Sequence, residues 1–118
     1  MKIRFQGCFF YINGHQVLLS HSIYGLIELD DLVLVLTYGF NAKQIESLPT
    51  RNVYAFNGSG EQIWQIQEPI QEGNHPVSYA DMSLKKDGKI IVGSTKGDEY
   101  VLNIRDGSVV YIKGRKSW

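Results

Sequence analysis

The chain has 118 residues, 43% hydrophobic and 20% charged, with 12 Lys and Arg balancing 12 Asp and Glu. That length makes a single domain over residues 1–118, able to bury a core without staples. The zero net charge argues against non-specific nucleic-acid binding. The one cysteine, Cys8, excludes an internal disulfide and points to a reducing, cytoplasmic setting. No apolar run approaches the ~18 residues of a membrane helix, and the stretch before Cys8 is too short for a signal peptide.

In chain order almost every segment patterns as strand. "KIRFQ" and "CFFYI" come first, followed by Asn13-Gly14. Asn-Gly is the strongest two-residue hairpin signal, because both positions accept the positive φ of a type I′ turn. "HQVLLS" returns, "IYGLIEL" alternates, and Asp30-Asp31 turns the chain. "LVLVLTY", residues 32–38, is apolar on both faces, which predicts a central strand covered above and below. Residues 39–51 break the pattern, and "NAKQIESL" predicts at most one short helix near 41–48, with Asn41 as N-cap and Pro49 ending it. "NVYAFN" and "EQIWQI" follow, joined through Gly58-Ser59-Gly60. Residues 67–76, "QEPIQEGNHP", form a polar surface connection. "VSYADMSL", "KIIVGS", "EYVLNI" and "SVVYIKG" then alternate with turns at Asp87-Gly88, Lys96-Gly97-Asp98 and Asp106-Gly107. The expected fold is an all-β antiparallel meander of nine or ten short strands in stacked sheets, either a β-sandwich or a partial propeller-like array.

Two segments repeat. "YAFNGSGEQIW" offers Tyr54, Phe56, Asn57, Gly60 and Trp64 in the order in which "YVLNIRDGSVVY" offers Tyr100, Leu102, Asn103, Gly107 and Tyr111. Each follows an apolar strand that itself follows an acidic turn, so the chain holds two imperfect copies of a three-strand unit. The unit resembles a blade of the β-propellers related to pyrroloquinoline-quinone dehydrogenases. There an Asp or Asn starts the turn, a Gly ends it, and an aromatic packs on the next blade. The resemblance implies stacked antiparallel sheets. It covers about half the chain, which is too short for the four blades of a closed ring. The quinone- and calcium-binding residues of those dehydrogenases have no counterpart here, so no cofactor is expected.

Catalytic and metal chemistry find little support. His15, His21 and His75 fit no zinc spacing, and no metal site is expected. Nothing basic flanks Cys8 closely, so it is expected as a small buried hydrophobe. The glycines mark hairpin turns rather than a phosphate loop. Residues 52–84 hold Glu61, Glu68, Glu72 and Asp81 and no Lys or Arg, which counts against a basic, aromatic RNA-binding sheet.

The two long connections are the candidate binding elements. The first follows Tyr38 and contains Phe40, aromatic anchors of the kind that dominate interfaces. The second carries Glu68 and Glu72, and the turn acids Asp30 and Asp31 add to the negative charge. In size, in lack of a signal and in lack of an active site the chain resembles the immunity proteins of bacterial toxin–immunity pairs, contact-dependent inhibition among them. That resemblance implies a non-catalytic protein whose partner is a basic cognate toxin, occluded by Asp30, Asp31, Glu68 and Glu72 in place of phosphates. Two other readings stay open: an oligomeric propeller-like module for a sugar or other small ligand, and a small hydrolase using His21 or His75.

Overall fold

The computed structural model describes residues 2–37 and 49–114. The expected helix near 41–48, and Tyr38 and Phe40 with it, lie outside the described residues. Among the described residues there are eleven strands: β1 (Ile3–Gln6), β2 (Phe9–Ile12), β3 (His15–Leu18), β4 (Ile23–Glu28), β5 (Val33–Thr37), β6 (Val53–Phe56), β7 (Gln62–Gln65), β8 (Tyr79–Leu84), β9 (Ile90–Ser94), β10 (Asp98–Leu102) and β11 (Val109–Gly114). They pair antiparallel in three meanders, β1-β2-β3, β4-β5-β6-β7 and β8-β9-β10-β11. The all-β antiparallel expectation therefore holds, with eleven strands rather than nine or ten. Asn13 and Gly14 both take positive φ, 49° and 85°, as the type I′ turn between β2 and β3 requires.

The sheets stack in three layers, and β4–β7 is the middle one. Side chains alternate along a strand, and β5 shows the consequence. Val33 and Val35 join Phe10, Ile12, Leu19, Ile23 and Phe56 in a core shared with the first sheet. Leu34 and Leu36 join Val53, Ala55, Trp64 and Ile66 against Tyr79, Ile90, Val92, Tyr100 and Leu102 of the third. The doubly apolar β5 is buried along its whole length, the central position its sequence predicts.

The internal repeat is real and longer than its sequence shows. "YAFNGSGEQIW" spans β6 and β7, and "YVLNIRDGSVVY" spans β10 and β11, the last two strands of each four-stranded sheet. Their turns are built alike. The Asn57 side-chain oxygen accepts hydrogen bonds from the Ser59 and Glu61 N–H groups, and that of Asn103 accepts from Arg105. The Gly60 N–H donates to the Asn57 carbonyl and the Gly107 N–H to that of Asn103, and both glycines sit at φ 80°. The final aromatics are not equivalent, however. Trp64 stands opposite Ala55 and faces the third sheet, whereas Tyr111 stands opposite Tyr100 and faces the middle one. At the turn the two copies pair alike, Phe56 with Gln62 and Leu102 with Val109, but a register shift between Ala55 and Phe56 moves the β6–β7 pairing by one, and a one-residue shift flips the face. Val110, opposite Val101, takes the place of Trp64.

One buried polar group ties the middle and third sheets together. Asn52 is fully buried, accepts a hydrogen bond from the Tyr79 N–H at 2.8 Å, and donates to the carbonyls of Tyr79 at 2.8 Å and Thr37 at 2.9 Å. A side-chain amide has two donors and an acceptor, so it mimics a backbone bridge where β5 ends and β6 and β8 begin.

Candidate binding site

The connection from Ile66 to Ser78 has no regular secondary structure, yet its backbone is pinned at successive points. The Gln67 N–H donates to the Gly107 carbonyl at 2.8 Å. The Tyr79 hydroxyl donates to the Gln67 carbonyl at 2.7 Å, and the Ile70 N–H donates to the Tyr100 hydroxyl at 3.1 Å. The Gln71 amide donates to the carbonyls of Pro69 and Val77, and its oxygen accepts from the Val77 N–H, which closes the loop on itself. Burial, together with the neighbouring Tyr100 and Glu68, pushes the Tyr79 hydroxyl far above its ordinary range, so it keeps its proton and remains a donor.

This pinned segment displays Glu68, Ile70 and Glu72. The Ile70 side chain is 51% exposed on a loop whose own backbone is held. Glu68 borders an open cleft of about 380 Å³ lined also by Arg51, Gln65, Gln67, Asp106, Gly107 and Ser108. The walls of the cleft come from both halves of the repeat, because Gly107 packs against the Trp64 ring and the indole N–H donates to the Ile104 carbonyl at 2.8 Å. Arg51 donates to the carbonyls of Ile66 and Gln65 at 2.9 and 3.1 Å, so its guanidinium braces the wall. Asp106 is held below the usual carboxylate range by hydrogen bonds from the Ser108 N–H and hydroxyl. The cleft thus brings two carboxylates, Glu68 and Asp106, together with the Arg51 guanidinium, and the exposed Ile70 follows Glu68 by two residues.

The other expected site residues are placed differently. The Glu72 carboxylate lies 2.6 Å from the Lys96 ammonium, which also reaches Asp98 at 3.0 Å. Glu72 therefore anchors its loop to the β9–β10 turn. Asp30 and Asp31 turn β4 into β5 at the Val33 end of the middle sheet, while the 66–78 connection leaves β7 at the opposite end, beside Tyr54. The four acids form two separate regions rather than one face. Ile70, Arg51 and Asp106 escaped the sequence reading. A lone isoleucine between two glutamates in a polar stretch was a visible signal for the first, but only long-range packing brings the other two to the site.

The three histidines do not come together. His75 is exposed within the connection, His15 is exposed at the start of β3, and His21 is half-buried with no hydrogen-bond partner at Nδ1. Among the described residues no three His, Cys, Asp or Glu side chains gather as metal ligands. Cys8 is half-buried in the β1–β2 turn, less covered than a core residue, because the turn lies at the rim of the first sheet.

The arrangement defines a three-layer all-β protein with a braced, acidic and apolar loop at one end. The chain belongs to a family described as a domain of unknown function, DUF7957, whose model matches residues 1–113. No curated protein and no solved structure is significantly similar to it.

Proposed function

We propose that this protein is a non-catalytic binding module whose 66–78 connection docks on a basic partner protein. An immunity-type inhibitor occluding a basic cognate toxin, in the cytoplasm, is the form this takes. The observation that carries the reading is the pinning of the backbone at Gln67 and Ile70, on either side of Glu68, by the Tyr79 and Tyr100 hydroxyls. A loop already held in its bound shape loses little conformational freedom on association, which is where much of the cost of binding lies. An exposed aliphatic anchor beside carboxylates suits a partner with Lys or Arg around an apolar pocket, and the charges steer the encounter. Glu68 and Asp106 are the contact acids in this reading, Glu72 holds the loop, and Asp30 and Asp31 contribute only to the long-range field.

The test is capture from cells of the source organism with the wild-type chain, with Glu68→Lys and Ile70→Asp as controls. One basic protein held in stoichiometric amount by the wild type, released by salt and lost with either substitution, is the expected result. A captured partner that is acidic, or that binds both variants as well as the wild type, would refute it.

A further inference from the structure

We propose that copies of this chain associate head to tail, the outer face of the β1–β3 sheet of one copy stacking on the outer face of the β8–β11 sheet of the next. The repeat supplies the first argument. Ile27, Leu34, Ala55 and Trp64 lie side by side across the middle sheet and face the third. The matching row of the third sheet is Ser83, Ile91, Val101 and Val110, which faces away from the middle sheet. The position that holds the buried Trp64 in one copy of the repeat holds Val110, 68% exposed, in the other. Three of the four outward positions of the third sheet are apolar, with Val110 exposed and Ile91 and Val101 half-buried, a row like the one the middle sheet uses against its neighbour.

Charge supplies the second. On the outer face of the first sheet Phe9 pairs across strands with Leu18, which is 67% exposed, and Arg4 lies over the Tyr11 ring at 4.6 Å. No acidic residue occurs before Glu28. The outer face of the third sheet carries Asp81, whose carboxylate covers Gly93, and Glu99, 3.8 Å from Lys113. Two partly apolar faces of opposite net charge, Arg4 on one and Asp81 with the Glu99–Lys113 pair on the other, thus lie on opposite sides of one molecule. Like faces repel and unlike faces attract, which selects a second copy in head-to-tail orientation over a two-fold dimer.

The test is sedimentation velocity at low salt over a concentration series up to millimolar, with Leu18→Lys blocking one face and Val110→Lys the other. Both side chains are exposed, and unchanged circular dichroism melts check that the variants fold. The wild type is expected to grow beyond a dimer with concentration. Each variant alone should stay monomeric, and an equimolar mixture should form a 1:1 dimer and nothing larger, because each variant keeps one working face. Arg4→Glu should weaken wild-type association about tenfold or more, and mixing it with Glu99→Arg should restore part of the loss. A wild type that stays monomeric throughout overturns the proposal. So does a wild type that stops at a dimer, or a single variant that still self-associates like the wild type. Capture of a foreign protein lost with Val110→Lys, alongside a monomeric wild type, would assign the face to that protein instead.

Discussion

Asn52 and Tyr79, 27 residues apart, are joined by two hydrogen bonds of 2.8 Å in which one side-chain amide satisfies both the N–H and the carbonyl of a single backbone residue. The pair joins the middle and third sheets by hydrogen bonds to main chain, in addition to side-chain packing. It also sets the start of β8, and through the Tyr79 hydroxyl it sets the height of the 66–78 connection. Replacing Asn52 by Asp keeps the shape but removes the donor, and it faces a carboxylate with the Thr37 and Tyr79 carbonyls. The expected cost is roughly 2–5 kcal/mol, from a buried charge and two orphaned acceptors. Urea unfolding at neutral pH checks it, and a loss within experimental error would mean the bridge contributes nothing.

Gly107 carries a second prediction. A Cβ at this position would lie 2.6 Å from the Trp64 ring, and the backbone φ of 80° disfavours any L side chain. Gly107→Ala should cost about 2–4 kcal/mol and shift the Trp64 emission, because the indole must leave the Ile104 carbonyl or the turn must move. Gly14→Ala, with open space around the added methyl, pays only for its backbone conformation and should cost about 1 kcal/mol.

The tyrosine hydroxyls separate loop order from fold stability. Tyr100→Phe leaves the ring contacts with Tyr79 and Tyr111 in place and removes only the acceptor for the Ile70 N–H. Global stability should fall by about 1 kcal/mol, while affinity for the partner should fall further than that loss alone explains. Equal losses in both measurements would remove the link between loop order and binding.

Lys96 gives the loop a dependence on alkaline pH. Hydrogen bonds to Glu72 first, and then to Asp98, hold its ammonium well above the ordinary lysine value of 10.5. A group whose folded-state pKa is raised contributes fully below its unfolded value and loses that contribution as pH climbs through the raised one. The brace should therefore be intact at neutral pH and weaken only above pH 10.5. Lys96→Met should flatten the alkaline limb of a pH–stability profile and leave the region below pH 9 parallel to wild type. Because the pair is exposed, salt should reduce the difference.

Much of this architecture was legible in the sequence, for identifiable reasons. The doubly apolar "LVLVLT" announced a strand covered on both sides, and Asn13-Gly14 announced its turn, because both signals are local and carry their physics in the residues themselves. The Asn and Gly of each repeat specified two turns with the same hydrogen bonds. The opposite facing of Trp64 and Tyr111 was not legible, since a register shift in the β6–β7 pairing sets it and only the paired structure reveals that. Nor was the separation of the acids. Asp30 and Glu68 look alike in composition, but the meander sends their turns to opposite ends of the middle sheet. Glu72 looked available for a partner until the chain folded Lys96 against it from 24 residues away.

Amide hydrogen exchange on the free protein tests the central claim, that the 66–78 connection is held in shape before any partner arrives. The Gln67, Ile70 and Val77 amides, bonded to the Gly107 carbonyl, the Tyr100 hydroxyl and the Gln71 side chain, should exchange at least tenfold slower than an unstructured chain. Tyr100→Phe should release Ile70 alone. Exchange of all three at the unstructured rate in the wild type would contradict a preformed binding loop.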